Sequence, residues 1–409
     1  MANSVITLAR RFLLSKTSDG FLSFIAWVSV VGVALGVLAL VVVTSVINGF
    51  EGELIRVITG MNGDVLLYSR ADPVRDPAII ETKIRKAVPE VRAITASFIA
   101  ELMVSGPDGV SGAIVEGFDS NTLGAVTEIP RKVILGRLAE APDEVTLGSA
   151  LAERLGATEG SVVRLIFPFT GSSDAGDQGS LGSPKATDMR VVGIIKMGMY
   201  EYDSKYLFTP LWQVQRFLEQ PGRVTSFKIK LAPNANSRKA SDQLADAFGY
   251  PFRSKDWSQL NRNLFYAIKL EKAVIAIILT AIVLVAAFNV VSTLMMMIHD
   301  KTREIAILKA MGFQPIQSFQ LFCLIGLGMG FVGTAFGIVF GLLINLLLEK
   351  THWIDLPPDI YYIGFLPVVV HWREVGLIAL TAMLISFLAT VYPAWKVSRR
   401  SPLEGLRYE

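Results

Sequence analysis

The sequence predicts a four-span α-helical membrane protein with a large mixed α/β domain, periplasmic in placement, inserted between helices 1 and 2 on helical stalks. Three observations lead there. The 409-residue chain is 52% hydrophobic and only 18% charged, with a mean hydropathy of +0.47, whereas a soluble globule carries nearer a quarter charged residues. Four stretches, 21–47, 273–298, 319–348 and 375–395, contain no Asp, Glu, Lys or Arg. Each is long enough for a bilayer, which takes about 20 apolar residues. Between the first two lies a long segment in which strand-like and helix-like runs alternate.

At the N-terminus, Val5, Leu8, Ala9, Phe12 and Leu13 fall at helical spacing with Asn3, Thr7, Arg10 and Arg11 opposite. This predicts a cytoplasmic interfacial helix over 1–20. The apolar run that follows Arg10, Arg11 and Lys16 exceeds a signal-peptide core and ends without an A-x-A site, so it reads as a retained anchor. Basic residues gather on one side of the spans: Lys301, Arg303 and Lys309 after the second, and Lys396, Arg399, Arg400 and Arg407 after the fourth. On the other side, Lys350 and Arg373 are outweighed by Glu349, Asp355, Asp359 and Glu374. Both termini are therefore expected in the cytoplasm, with the segment from about residue 49 to 270 outside.

Past Ile47 the apolar spacing continues through Phe50, Leu54, Ile58 and Met61, now among Glu51, Glu53 and Arg56. Ahead of the second span it runs through Trp257, Leu260, Leu264 and Ile268. Helical amphipathicity outside the bilayer predicts a pair of stalks. The expected layout is span 1 and stalk at 21–62, an outer domain at 63–255, and stalk and span 2 at 256–298. A cytoplasmic segment at 299–318, span 3 at 319–348, an outer loop at 349–374, span 4 at 375–396 and a cytoplasmic tail at 397–409 complete it. Within the outer domain, strands are expected over 64–69, 94–104, 111–118, 162–167, 189–195 and 225–231, and helices over 77–88, 149–155, 211–218 and 237–248. Residues 171–188, rich in Gly, Ser and Asp, read as a long loop, and loops of that length are functional or disordered.

Catalytic machinery is missing. The lone Cys323 excludes an intrachain disulfide and C-x-x-C chemistry, and His299, His352 and His371 lack ligand spacing, so no metal site is expected. No G-x-x-x-x-G-K-[ST], G-x-S-x-G or H-E-x-x-H occurs. Gly328-x-Gly330-x-x-Gly333 lies inside an apolar span with no preceding strand, which disqualifies it as a dinucleotide fingerprint. Gly32 and Gly36 in the first span, and Gly326, Gly330, Gly333, Gly337 and Gly341 in the third, instead form small-residue faces for close helix packing. A net charge of +3 gives no reason to expect nucleic acid. The spans hold Asn289, Gln320, Asn345 and hydroxyl residues as polar groups but no Asp, Glu, Lys or Arg, whereas pumps keep ionisable ones there. Any work must draw its energy from a partner.

The stretch Lys301-Thr302-Arg303-Glu304-Ile305-Ala306-Ile307-Leu308-Lys309-Ala310-Met311-Gly312 and the C-terminal Tyr392-Pro393-Ala394-Trp395-Lys396 and Ser401-Pro402-Leu403-Glu404-Gly405-Leu406 resemble the MacB/FtsX-like ABC permeases. Ala9-Arg10-Arg11-Phe12-Leu13, Gly20 to Trp27, Val46-Ile47-Asn48-Gly49-Phe50-Glu51-Gly52-Glu53-Leu54 and Gly198-Met199-Tyr200-Glu201-Tyr202-Asp203-Ser204 are similar to the LolC/LolE family of lipoprotein-releasing permeases, over essentially the whole chain. That resemblance implies a bacterial inner-membrane subunit that extracts lipidated proteins and hands them to a LolA-like periplasmic carrier. It implies two copies of a LolD-like ATPase, which bind ATP and Mg2+, and a second permease or second copy of this chain. Arg303, Glu304, Ile305, Leu308, Lys309, Ala310, Met311 and Gly312 would form the ATPase-coupling helix, with Ile305 and Leu308 entering the ATPase. Loop 171–188 lies where LolC-type subunits carry a carrier-binding hook, for which Phe169, Gly171, Asp174, Asp177, Leu181 and Pro184 are the candidates. From the apolar-to-amphipathic change in the first helix, Ile47, Asn48, Phe50 and Leu54 are expected at the lipoprotein entrance, with Asn48 bonding the linker. Export of another amphiphile or peptide, and a non-transporting transmembrane regulator, stay open as alternatives.

Overall fold

Spans that run on into amphipathic sequence give helices longer than a membrane requires. The computed structural model describes residues 20–167, 185–351 and 366–399. In it α1 (Gly20–Asn62) runs unbroken for 43 residues, roughly 65 Å at 1.5 Å per residue against a hydrocarbon layer of about 30 Å. With α9 (Arg262–Asp300), α11 (Pro315–Thr351) and α12 (Trp372–Ser398), it is one of four helices long and apolar enough to cross a membrane. The chain divides into two compact units, one built from these four helices and the other from residues 53–266, with α1 and α9 each contributing to both.

In the helical unit, small residues set the packing. Ser29 bonds Thr293 at 2.6 Å, while Gly32 faces Ala286 and Gly36 faces Val283, so α1 and α9 lie antiparallel. A methyl group at Gly333 would lie 2.9 Å from the Val30 carbonyl oxygen, and one at Gly337 only 2.6 Å from that of Ala34. At Gly341 it would meet Val41. Gly326 and Gly330 admit Thr390 and Ser386 of α12 in the same way. Val33, Val37, Leu294, Phe322 and Ile325 fill the core between them.

The outer unit holds β1 (Val65–Ser69), α2 (Pro77–Ala87), β2 (Val91–Ser105), β3 (Val110–Phe118) and α3 (Leu123–Val126). Next come β4 (Val133–Gly136), β5 (Glu144–Gly148), α4 (Ser149–Leu155), β6 (Val162–Phe167) and β7 (Lys185–Ile195). The unit ends with α5 (Tyr200–Lys205), β8 (Tyr206–Pro210), α6 (Leu211–Phe217), β9 (Ser226–Leu231), α7 (Ser237–Phe248), β10 (Phe252–Asp256) and α8 (Trp257–Leu260). The sheet runs β10-β1-β9-β2-β3-β8-β5-β7-β4, and β6 pairs with both β2 and β7. That double pairing closes β2-β3-β8-β5-β7-β6 into a barrel around Leu102, Val104, Val145, Val163 and Leu207. The remaining strands carry α2 and α7 over Val65, Leu67, Ile84, Phe227 and Leu244.

Strands β4, β5, β8 and β10 were not expected. In β5 and β8 four of five residues are buried, which removes the alternation that marks a strand. The β10 sequence FRSKD is an edge strand with the charges such edges carry. Two expectations are corrected. Residues 185–188, assigned to the long loop, belong to β7, where Asp188 faces Arg164 across the ladder and takes two guanidinium bonds of 2.7 and 2.9 Å. The second stalk is not one helix: Asp256 caps α8 by accepting from the Gln259 amide, and the chain breaks at Asn261 before α9 begins.

The β4–β5 connection carries a pH signature. Two Arg137 guanidinium bonds, aided by the amides of Glu140 and Ala141, pull the Glu144 carboxyl down to about 2 from an ordinary 4.5. A depressed carboxyl stabilises the fold above its unfolded pKa and loses that contribution as pH falls through the folded one. Melting temperature should therefore decline between about pH 4.5 and 2 from this source, and Glu144→Gln should flatten that limb while lowering stability at neutral pH. A pH series of thermal melts on both proteins checks it.

Candidate functional site

Beyond its apolar stretch, α1 reaches a polar cluster built from three helices. The Asn48 amide donates to Glu374, at the start of α12, at 2.5 Å. Lys272 of α9 donates to the Asn48 carbonyl oxygen at 3.0 Å and forms an ion pair with Glu51. Segment 366–371 lies against the same turn of α1: the Val369 amide donates to the Ser45 carbonyl at 3.0 Å, and Gly49 meets Pro367 so closely that any side chain would strike its carbonyl. Asn48 is 6% exposed, and a buried primary amide needs both halves satisfied. Here both are.

That geometry corrects two assignments. Asn48 does not present a free amide to a lipid linker, because Glu374 and Lys272 hold it. Leu54, at 1% exposure, is core of the outer unit and cannot line an entrance. Ile47 and Phe50 are half-buried beside Asn48 and Glu51 on α1. Glu51 and Glu374 read in the sequence only as a stalk charge and a topology charge, and neither they nor Lys272 are legible there as a cluster, because each lies just beyond an apolar window. The usable signal was the i, i+3 pair Asn48 and Glu51, two polar groups on one face where a helix leaves its apolar stretch.

The second candidate region is α10 (Thr302–Ala310), which follows α9. Its inner face packs Ile305 into the core of the helical unit together with Val397, and Ala306 beside it is buried. Lys309 donates to the carbonyls of Val397 and Ser398 at 2.8 and 3.2 Å, so a cation neutralises the negative end of α12. The face left open consists of Arg303, Glu304, Ile307, Ala310, Met311 and Gly312, with Met311 80% exposed. Leu308 is half-buried. Ile305 was expected to enter a partner, but its side chain is already spent on the chain's own core, and Ile307 and Met311 carry the exposed apolar surface. Gly312 takes φ +98, a conformation a side chain would strain, which turns the chain sharply into α11.

Phe169, Gly171, Asp174, Asp177, Leu181 and Pro184 lie outside the described residues. The ends of their segment are set by the β6–β7 ribbon, whose last pair is Phe167 with Lys185.

Two family descriptions match: a MacB-like periplasmic core domain over residues 26–247 and an FtsX-like permease C-terminal region over 276–402. Similar curated proteins extend over the full chain. Lipoprotein-releasing system transmembrane protein LolC of Neisseria meningitidis is 33% identical, covering 98% of both chains. LolC of Xylella fastidiosa is 30% identical, over 99% of this chain and 98% of that one. LolE of Haemophilus influenzae is 26% identical, over 99% of each.

Proposed function

Since this chain belongs to the LolC/LolE family of lipoprotein-releasing transmembrane proteins, we propose that it is the membrane subunit of an ABC-type complex that extracts lipoproteins from the inner membrane. The observation that carries the proposal is similarity along 98–99% of the chain to proteins named for that release. Both termini lie in the cytoplasm and the ten-stranded unit in the periplasm, consistent with the side on which basic residues gather. ATP and Mg2+ bind a LolD-like partner present in two copies, and the open face of α10, led by Ile307 and Met311, docks on it. A second permease subunit or second copy completes the membrane part. The segment at the tip of the β6–β7 ribbon receives a LolA-like carrier.

A lipid-anchored substrate leaves the outer leaflet sideways, between helices and near the membrane surface. Ile47 and Phe50 are placed for this, since α1 is apolar below them and polar at Asn48 and Glu51. Photo-crosslinkers at Ile47 and Phe50 should give adducts with lipoprotein that disappear when ATP turns over. Adducts confined to the chain's own α9 would refute the entrance.

A further inference from the structure

The end of α1 is anchored in the outer unit by an unusual set of buried polar groups. Lys228 on β9 and Glu116 on β3 are both 0% exposed and form an ion pair. The Lys228 ammonium also donates to the Met61 carbonyl at 2.8 Å, in the last turn of α1, where the helix dipole is negative. The Glu116 carboxylate has no hydrogen bond of ordinary geometry and is held by the ammonium's charge. One residue on, the Asn62 amide donates to the Tyr202 hydroxyl at 2.9 Å, and Asn261 lies near enough to the same hydroxyl to favour its ionised form. Asn62 ends α1 and Asn261 immediately precedes α9, so the Tyr202 hydroxyl is bonded to the end of the first helix and stands beside the start of the second. Burial pushes the Tyr202 phenol up to about 12, which keeps it neutral. Gly63, at φ +74, turns the chain against the Ile229 carbonyl, and Asp64 then bonds Lys230 at 2.9 Å and the Leu231 amide at 2.8 Å.

Stability alone does not explain this arrangement. A wholly buried ion pair is commonly no more stabilising than apolar residues of the same volume, because desolvation of both charges offsets their attraction. What such a pair does impose is one register, since any slip leaves a buried charge unpaired. Tyr202 sits on α5, whose preceding loop is pinned by Asp203 accepting from the amides of Met197 and Gly198 at 2.7 and 3.1 Å. That loop continues from β7, the strand that begins at the ribbon tip.

We infer that Lys228, Glu116 and Tyr202, with Asn62 and Asn261, form a joint that couples displacement of the α1 and α9 ends to β7 and the ribbon, and that substrate release depends on it. Lys228 and Tyr202 are thus positioning residues. This rests on the proposed function. The test uses the complete ATPase–permease complex in proteoliposomes with a lipidated substrate and the carrier, measuring melting temperature, ATP hydrolysis and lipoprotein released per ATP. Replacing the pair together (Lys228→Met with Glu116→Leu) should preserve melting temperature and ATPase rate but cut release per ATP about tenfold, within the usual range for coupling between sites. Tyr202→Phe, which removes one oxygen, should cut it about fivefold. Release per ATP equal to wild type in both folded variants overturns the joint. If the double variant does not fold, Tyr202→Phe alone decides. A wild-type complex that hydrolyses ATP but releases no lipoprotein overturns the functional reading instead, and the joint's role falls with it.

Discussion

Gly337→Leu should prevent assembly of the helical unit. A methyl group at this position already lies 2.6 Å from the Ala34 carbonyl oxygen and 2.7 Å from the Val37 Cβ, and neither is the free end of a side chain. Relief requires α1 and α11 to separate, which would undo the crossings at Gly333 and Gly341 on the same face. Overpacking a well-filled core costs about 1–3 kcal/mol, and more where backbone must shift. In a bilayer close packing is itself the attraction between helices, because lipid is as apolar as the interface. The expected result is loss of monodisperse protein from detergent extracts. Gly376→Ala is the control, since nothing stands within 4 Å of that position and its melting temperature should match wild type. A folded Gly337→Leu protein with unchanged melting temperature would contradict the packing described.

The second large effect concerns α10. Ile307→Asp combined with Met311→Asp should abolish copurification of the ATPase subunit while the permease stays folded, because both side chains point away from the helical core. An unpaired carboxylate buried in an interface costs several kcal/mol, and each 1.4 kcal/mol is tenfold in affinity. The loss should therefore exceed about a hundredfold. Ile305→Asp should act differently. Its side chain is 7% exposed and packs inside the helical unit, so that variant should fail at the level of the fold. Full copurification with the doubly charged variant would remove α10 as the docking helix.

The contrast between Ile305 and Ile307 marks where sequence reading stops. Both are apolar residues on a short helix of mixed character, and periodicity over nine residues does not say which face turns inward. Burial of Ile305 in the same core cluster as Val397, more than ninety positions away, decides it. The same limit applies to β5 and β8, which are too short and too uniformly buried to alternate. They become strands because β3 and β7 offer them partners.

Four apolar spans, the helical run beyond Ile47, the alternating strands such as β6 and the missing nucleotide-binding motifs were determined by the sequence alone. Each depends on residues close along the chain, where hydrophobic length and period are read directly. Tertiary structure decided the closure of the barrel by β6, the commitment of Asn48 to Lys272 and Glu374, and the burial of Lys228 against Glu116. These pairings join groups far apart in the chain. A polar side chain carries no local mark of whether it will face a ligand or a distant partner, because that outcome depends on which group the fold brings within about 3 Å.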